Sequence, residues 1–190
     1  PAVNPIWAWL VHGEDPGGHE PHQTLEVETV GALACQHRRP GKSKAGSSGA
    51  PNTQPVEGAV AESWSQPNET TYVFKLRKGV TWHHGRDLVA EDVKYSFERM
   101  LDEKTASPWR SNWQIIDRIE AQDPSTVRFV IKRPFAPLLS YLATPHYSAI
   151  VPRDIVEKSG DLQKDASGTG PFMLERFVPG DIFHVDTIIY

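Results

Sequence analysis

Cysteine and long apolar runs are the features that this chain of 190 residues has least of. Its one cysteine, Cys35, excludes an intramolecular disulfide framework and any zinc site built from several cysteines. The longest apolar stretches, such as residues 136–143, are too short to cross a bilayer. No basic segment precedes an apolar one at the start, so we expect no signal peptide in this chain.

An excess of one sign of charge is also missing. The chain has 20 Lys and Arg against 24 Asp and Glu, which gives a formal net charge of −4. Proteins whose main partner is nucleic acid concentrate basic residues to displace counterions from the phosphates, so we expect no nucleic-acid partner. With 38% hydrophobic and 23% charged residues, the composition is that of one ordinary globular domain or two small ones.

Turn-forming residues and tryptophan are plentiful. The 16 prolines and 14 glycines predict many turns, and the six tryptophans favour aromatic-lined surfaces or pockets, although any one of them can equally fill a core. The chain begins with Pro1 rather than Met and stops at Tyr190 in the middle of a pattern. We therefore expect a fragment from which targeting information is missing.

The clearest periodicity lies in the middle of the chain. Alternation over 72–77 predicts a half-buried strand, and 80–82 predicts a further short strand before a turn at 84–85. A helix is predicted to begin at Ala90, because apolar residues recur at helical spacing on one face. These residues are Val93, Phe97, Met100 and Leu101.

The remaining elements complete an α/β pattern with antiparallel pairs. A hairpin is predicted across the Asp-Pro-Ser-Thr turn at 123–126. Its strands are 115–121 and 127–132; the other predicted strands are 149–151, 172–177 and 182–185, and the predicted helices are 24–33, 137–142 and 152–158.

Residues 35–49 contain no apolar side chain larger than alanine after Cys35. The triplet Gly41-Lys42-Ser43 invites comparison with a phosphate-binding loop, but the glycine and the strand that should precede it are missing. We therefore predict a solvated loop for this segment.

Several collinear motifs resemble family 5 of the bacterial extracellular solute-binding proteins, the peptide, dipeptide and nickel-chelate receptors of ABC importers. Together these motifs extend over most of the chain after residue 59. They are VAESW at 60–64, YVFKLRKGVTWHHG at 72–85, AEDVKYSFER at 90–99, TVRF at 126–129, KRPFAP at 132–137, IVP at 150–152 and GTGPF at 168–172.

The resemblance implies a fold and a function. The fold would be α/β, a two-lobed receptor of the type II periplasmic-binding-protein kind, with only the N-terminal part present. The function would be to bind peptides or another small polar solute between the lobes and to deliver it to ABC permease subunits, with no catalysis, cofactor or metal. The location would be periplasmic or extracytoplasmic, with a lipid anchor in the full-length parent as an open alternative.

The resemblance also implies a division into lobes. Residues 1–54 and 168–190 would form part of the large lobe, and 55–167 the smaller lobe. Gly168, Gly170 and Pro171 would then shape the backbone where the chain crosses between lobes. A phosphate cradle is the alternative for this motif, but it needs a helix N-terminus where 172–177 predicts a strand.

Two features of the smaller lobe can be predicted in the same way. Trp64 and Trp82 are expected to pack against its sheet rather than to contact ligand. Val89 stands where members of the family usually carry Ser or Thr as the N-cap of the following helix. The missing cap costs about 1 kcal/mol, which the helix should survive.

The candidate ligand contacts follow from position and chemistry. Trp109 lies in the loop after the predicted Ala90 helix, where nickel-chelate receptors carry a tryptophan in the cleft, and a flat exposed ring can stack on a ligand. His146 and Tyr147 lie just before the predicted 149–151 strand. Arg110 can pair with a ligand carboxylate, although an exposed arginine is usually only solvated.

Two alternatives to a working receptor remain at this point. A histidine-dependent metallohydrolase would use His19, His22, His83 and His84, but a turn explains the adjacent pair equally well, and no third spaced ligand is evident. No nucleophile, base and orienting residue occur together in a motif. The other alternative is a truncated receptor fragment that does not function by itself.

Overall fold

A four-stranded antiparallel sheet is the centre of the computed structural model, which describes residues 40–43, 56–144, 147–160, 162 and 167–170. The strands within these ranges are β1 Gly41–Ser43, β2 Val56–Gly58, β3 Ala61–Asn68, β4 Thr71–Leu76, β5 Ile116–Asp123 and β6 Thr126–Ile131. The helices are α1 Ala90–Leu101, α2 Arg110–Trp113, α3 Leu138–Leu142 and α4 Arg153–Ser159, with a 3-10 turn at Glu103–Thr105. The predicted elements at 24–33, 172–177 and 182–185 lie outside the described residues.

The sheet has the strand order β3-β4-β6-β5. The predicted strand at 72–77 is confirmed as β4, and the predicted hairpin is confirmed as β5 and β6 around the expected turn. Tyr72 lies opposite Phe129 and Phe74 opposite Val127 in the β4–β6 pair. Because side chains alternate along a strand, this register places Phe74 and Phe129 on the same face of the sheet.

Helix α1 covers that face. The Phe97 ring is fully buried, and its centroid lies 5.1 Å from that of Phe129 in an edge-to-face arrangement. Trp113 also packs edge to face on Phe97, with ring centroids 4.8 Å apart. Of the apolar face predicted for this helix, Val93, Phe97 and Met100 are buried and Leu101 is half-buried. The prediction of an amphipathic helix packed on a sheet is confirmed.

The start of α1 shows how the chain manages without an N-cap side chain at Val89. The Asp92 carboxylate accepts the Val89 N–H at 3.0 Å, and the Pro124 carbonyl of the β5–β6 turn accepts the Ala90 N–H at 2.9 Å. Glu91 and Asp92 also place negative charge at the positive end of the helix. A tertiary contact therefore replaces part of the missing cap.

Two predicted strands are wrong. Residues 80–82 form no strand but a single bridge between Thr81 and Asp87, because the chain turns back at once with Gly85 at φ 91°. Residues 149–151 are buried but not paired in a sheet. There the Val151 N–H donates to Ser96 Oγ at 2.9 Å, so this segment crosses α1 instead of joining a strand.

The prediction of a solvated loop at 35–49 is wrong at residues 41–43. These residues are strand β1, which pairs antiparallel with β2. The preceding Pro40 carbonyl accepts the N–H groups of Ala59 and Ala61, each at 3.1 Å. Among the described residues, no helix has the length and apolar character needed to span a membrane.

Candidate functional site

The turn after Thr81 is fastened to the segment 167–170, much further along the chain. The His83 N–H donates to the Gly168 carbonyl at 2.9 Å, and the Gly168 N–H donates to His83 Nδ1 at 3.1 Å. His83 Nε2 lies 2.9 Å from the Gly170 carbonyl oxygen. Two of the predicted crossing residues are thus held by one imidazole, while the third, Pro171, lies outside the described residues.

His84 holds the same segment from the neighbouring position. Its Nδ1 lies 2.8 Å from Ser167 Oγ, and its Nε2 lies 3.3 Å from the Asp154 carboxylate of α4. Ser167, Gly168 and Thr169 are buried. We call the contacts of His83 and His84 with residues 167–170 the histidine clasp.

An ion-pair network around the buried Asp92 carboxylate adjoins the clasp through Asp154. Arg86 bridges both oxygens of Asp92, at 2.8 and 2.9 Å, and Asp154 at 2.6 Å. The hydrogen bond with Asp92 is the largest cause that raises the pKa of Arg86 above its ordinary value. The hydrogen bond from Arg86 likewise lowers the pKa of Asp154. Trp82 Nε1 also donates to Asp92 at 3.3 Å, and this ring is buried as predicted.

The histidines of the metallohydrolase alternative are not brought together as a metal centre in the described residues. His83 and His84 use their ring nitrogens on the 167–170 segment and Asp154. No group of three or more His, Cys, Asp or Glu side chains suited to a metal ion is found in the part of the chain that the structure describes. His19 and His22 lie outside that part.

Trp109 and Tyr147, predicted from separate segments, are neighbours. Both are half-buried, and their ring centroids are 5.0 Å apart. Trp113 Nε1 donates to the Tyr147 carbonyl at 2.5 Å, which fixes the backbone of this segment against the core. His146 lies outside the described residues.

Two further aromatic residues extend this pair, and the sequence reasoning missed them. Tyr141 of α3 lies 5.4 Å from Tyr147, and Phe135 lies 5.3 Å from Tyr141 between ring centroids. All of these rings are half-buried. The spacing of Phe135 and Tyr141 around the start of a short helix is a weak sequence signal, because nothing in it indicates the contact of Tyr141 with Tyr147. We call Trp109, Tyr147, Tyr141 and Phe135 the aromatic patch.

Arg110 follows Trp109 but turns toward its own segment. Its Nε donates to the Leu101 carbonyl at the end of α1 at 2.8 Å, and its Nη2 donates to Glu103 at 2.9 Å. The Glu103 side chain is 81% exposed. The guanidinium therefore satisfies a carbonyl at the C-terminal end of α1 and pairs with a solvent-exposed carboxylate.

Solved structures with this fold define the class of protein. The binding protein MoaA from A. tumefacien R10, in complex with mannopinic acid, is 27% identical with a TM-score of 0.77, over 88% of this chain and 34% of that chain. DppA from Helicobacter pylori, in complex with the peptide STSA, is 29% identical with a TM-score of 0.73, over 87% and 36%. The described structure therefore has part of the α/β fold of periplasmic binding proteins.

The chain belongs to the bacterial extracellular solute-binding proteins of family 5, whose middle-region model matches residues 55–186. The di/tripeptide-binding protein 2 of Pseudomonas aeruginosa strain UCBPP-PA14 is 37% identical over 152 residues, which is 67% of this chain. The probable D,D-dipeptide-binding periplasmic protein DdpA of Escherichia coli K12 is 34% identical over 131 residues. The chain spans only 28% and 25% of the length of these relatives.

Proposed function

We propose that this chain serves as part of the substrate-binding component of an ABC importer. It would bind short peptides or a similar small polar solute between two lobes, outside the cytoplasm, and deliver it to permease subunits in a membrane. The observation that carries this proposal is family membership together with relatives whose names specify di- and tripeptides. No catalytic step is part of the proposal.

The proposed lobes are 55–167 for the smaller one and 1–54 with 168–190 for part of the larger one. The sheet and α1 share one core of buried residues, which supports the smaller lobe as a unit. The pairing of β1 with β2 joins residues on the two sides of the first proposed boundary. The return crossing is proposed at Gly168, Gly170 and Pro171.

The aromatic patch is the surface that we propose for ligand contact. Half-buried rings such as Trp109 and Tyr147 present flat apolar area at little cost in side-chain entropy, which suits peptide groups and side chains of varied sequence. Arg110 is a further proposed contact, because a ligand carboxylate can replace its exposed partner Glu103. His146 is proposed as a contact beside Tyr147.

Closure around the ligand would then be a shift between open and closed populations. The closed population is favoured only by contacts that exist in the closed state. A ligand must therefore contact both lobes to stabilise that state. The aromatic patch would supply the contacts of one lobe.

The test is a titration of di- to pentapeptides into the chain, followed by intrinsic tryptophan fluorescence and by the melting temperature. We expect a saturable response, which Trp109→Ala weakens about tenfold because one stacked ring contributes about 1 kcal/mol or slightly more. Trp64→Phe is the control, because Trp64 is also half-buried but packs on Phe74 of the sheet. No saturable response to any peptide would overturn peptide binding by this chain, and equal affinity of Trp109→Ala would remove Trp109 from the site.

A further inference from the structure

The histidine clasp depends on which nitrogen of His83 carries the proton. The Gly168 N–H donates to Nδ1, so Nδ1 must present a lone pair. The Gly170 carbonyl oxygen only accepts, so the hydrogen between it and Nε2 belongs to Nε2. Both contacts are satisfied together by one form of the side chain, the neutral imidazole with its proton on Nε2.

We propose that neutral His83 fastens the 167–170 segment to the sheet-bearing lobe, and that protonation of its ring at Nδ1 releases the Gly168 N–H. The attachment of this segment is then sensitive to pH. This inference concerns contacts within the chain and does not depend on peptide binding.

Protonation would affect one hydrogen bond and spare the others. A proton on Nδ1 would place two N–H donors against each other across the 3.1 Å that now separates Nδ1 from the Gly168 nitrogen. The bond from Nε2 to Gly170 and the backbone bond from His83 to Gly168 keep their donors and acceptors. The loss is therefore local to the Gly168 amide.

The structure places four other charged or titratable side chains around this turn. They are His84 and Arg86 from the turn itself, Asp92 from α1 and Asp154 from α4. Arg86 holds the pKa of Asp154 below its ordinary value, so this carboxylate stays charged well below the range in which histidine titrates. Protonated His84 keeps both contacts, since it can donate to Ser167 Oγ and to Asp154.

Acid therefore has opposite effects on the two halves of the clasp. It strengthens the contact of His84 with Asp154 and removes the contact of His83 with the Gly168 N–H. The segment stays near the lobe through His84, while the backbone at Gly168 gains freedom.

The experiment is amide hydrogen exchange of the full chain, measured at Gly168 by NMR between pH 5 and pH 7.5 and corrected for the intrinsic exchange rate at each pH. In the wild type we expect protection at Gly168 to fall about fivefold between pH 7.5 and pH 5, the effect of losing one hydrogen bond. In His83→Asn, whose Oδ1 can accept the same N–H but does not titrate, we expect protection independent of pH. His84→Gln is the matched control, and it should keep the wild-type response.

A second measurement does not require any variant to fold. Long-range ¹⁵N–¹H correlation of the histidine rings should find the His83 proton on Nε2 at pH 7.5. A proton on Nδ1, pH-independent protection of Gly168 in the wild type, or an unchanged pH response in His83→Asn would each overturn the proposal. Failure of peptide binding would leave all three readouts unaffected, so the two proposals fail separately.

Discussion

The Asp92 side chain is a carboxylate with only 2% of its surface exposed. Its neighbours replace the lost water contacts with hydrogen bonds and an opposite charge. Arg86 pairs with both oxygens, while Trp82 Nε1 and the Val89 N–H donate to Oδ2. A buried charge is tolerated only when it is paired and hydrogen-bonded. At the scale of residues, this carboxylate joins the start of α1 to the turn that bears the histidine clasp.

The ion pair gives the first prediction on stability. Arg86→Ala should lower the free energy of unfolding by about 2 kcal/mol, because Asp92 loses its cation while keeping its neutral donors. Arg118→Ala is the control: it breaks the exposed pairs with Asp117 and Glu120 and should change stability much less than Arg86→Ala does. Urea denaturation of the variants measures both. Equal effects of the two substitutions would contradict a special role for the Arg86 pair.

Among the secondary-structure elements, helix α1 contacts both the sheet and the irregular segment 149–151. One face packs on Phe129 of the sheet, while Ser96 holds the irregular 149–151 segment. Ser96 Oγ donates to the Asp92 carbonyl at 2.6 Å and accepts the Val151 N–H at 2.9 Å. Because a hydroxyl can donate and accept at once, Ser96 can bind backbone that is buried but not paired in a sheet, and so hold it against the helix.

The second prediction tests that joint. Ser96→Ala leaves the Val151 N–H buried without its acceptor and should destabilise the chain by about 1 to 3 kcal/mol. Ser111→Ala removes the same group from an exposed position of α2 and should have an effect below about 0.5 kcal/mol. Thermal unfolding compares the two. If Ser96→Ala were as stable as the wild type, the hydroxyl would not be what holds residues 149–151.

Across the whole molecule, low pH changes the contacts that Asp154 of α4 makes with His84 and Arg86. Arg86 lowers the pKa of Asp154 in the folded state below the ordinary value of 3.8. A carboxyl group whose pKa is lower in the folded state stabilises the fold at pH values above its pKa in the unfolded state. That contribution is lost as the pH falls through its pKa in the folded state.

The third prediction follows from this sign. Asp154→Asn should reduce stability near neutral pH, and its difference from the wild type should shrink steadily as the pH is lowered below about 4. The measurement is urea denaturation of both proteins at several pH values from 2 to 6. Asp117→Asn, which alters an exposed pair with Arg118, provides the comparison. A difference that grows in acid would contradict the assigned direction.

The sequence by itself determined the regular elements, because their signals are local. Alternation specified β4, the turn residues between β5 and β6 specified the hairpin, and the spacing of Val93, Phe97 and Met100 specified α1. The collinear motifs also led to the correct family, whose model matches residues 55–186. The sheet hairpin, β4 and the helix packed on the sheet were therefore largely predictable.

Only the tertiary structure decided which distant groups meet. The contacts of His83 with Gly168 and Gly170, and of Trp109 with Tyr147, join segments that no periodicity relates. The failed strand at 149–151 has the same cause: its apolar residues are buried against α1 rather than in a sheet, and burial of a short apolar run does not specify its backbone partner. Hydrogen-bond partners across long separations depend on packing, which one-dimensional patterns do not contain.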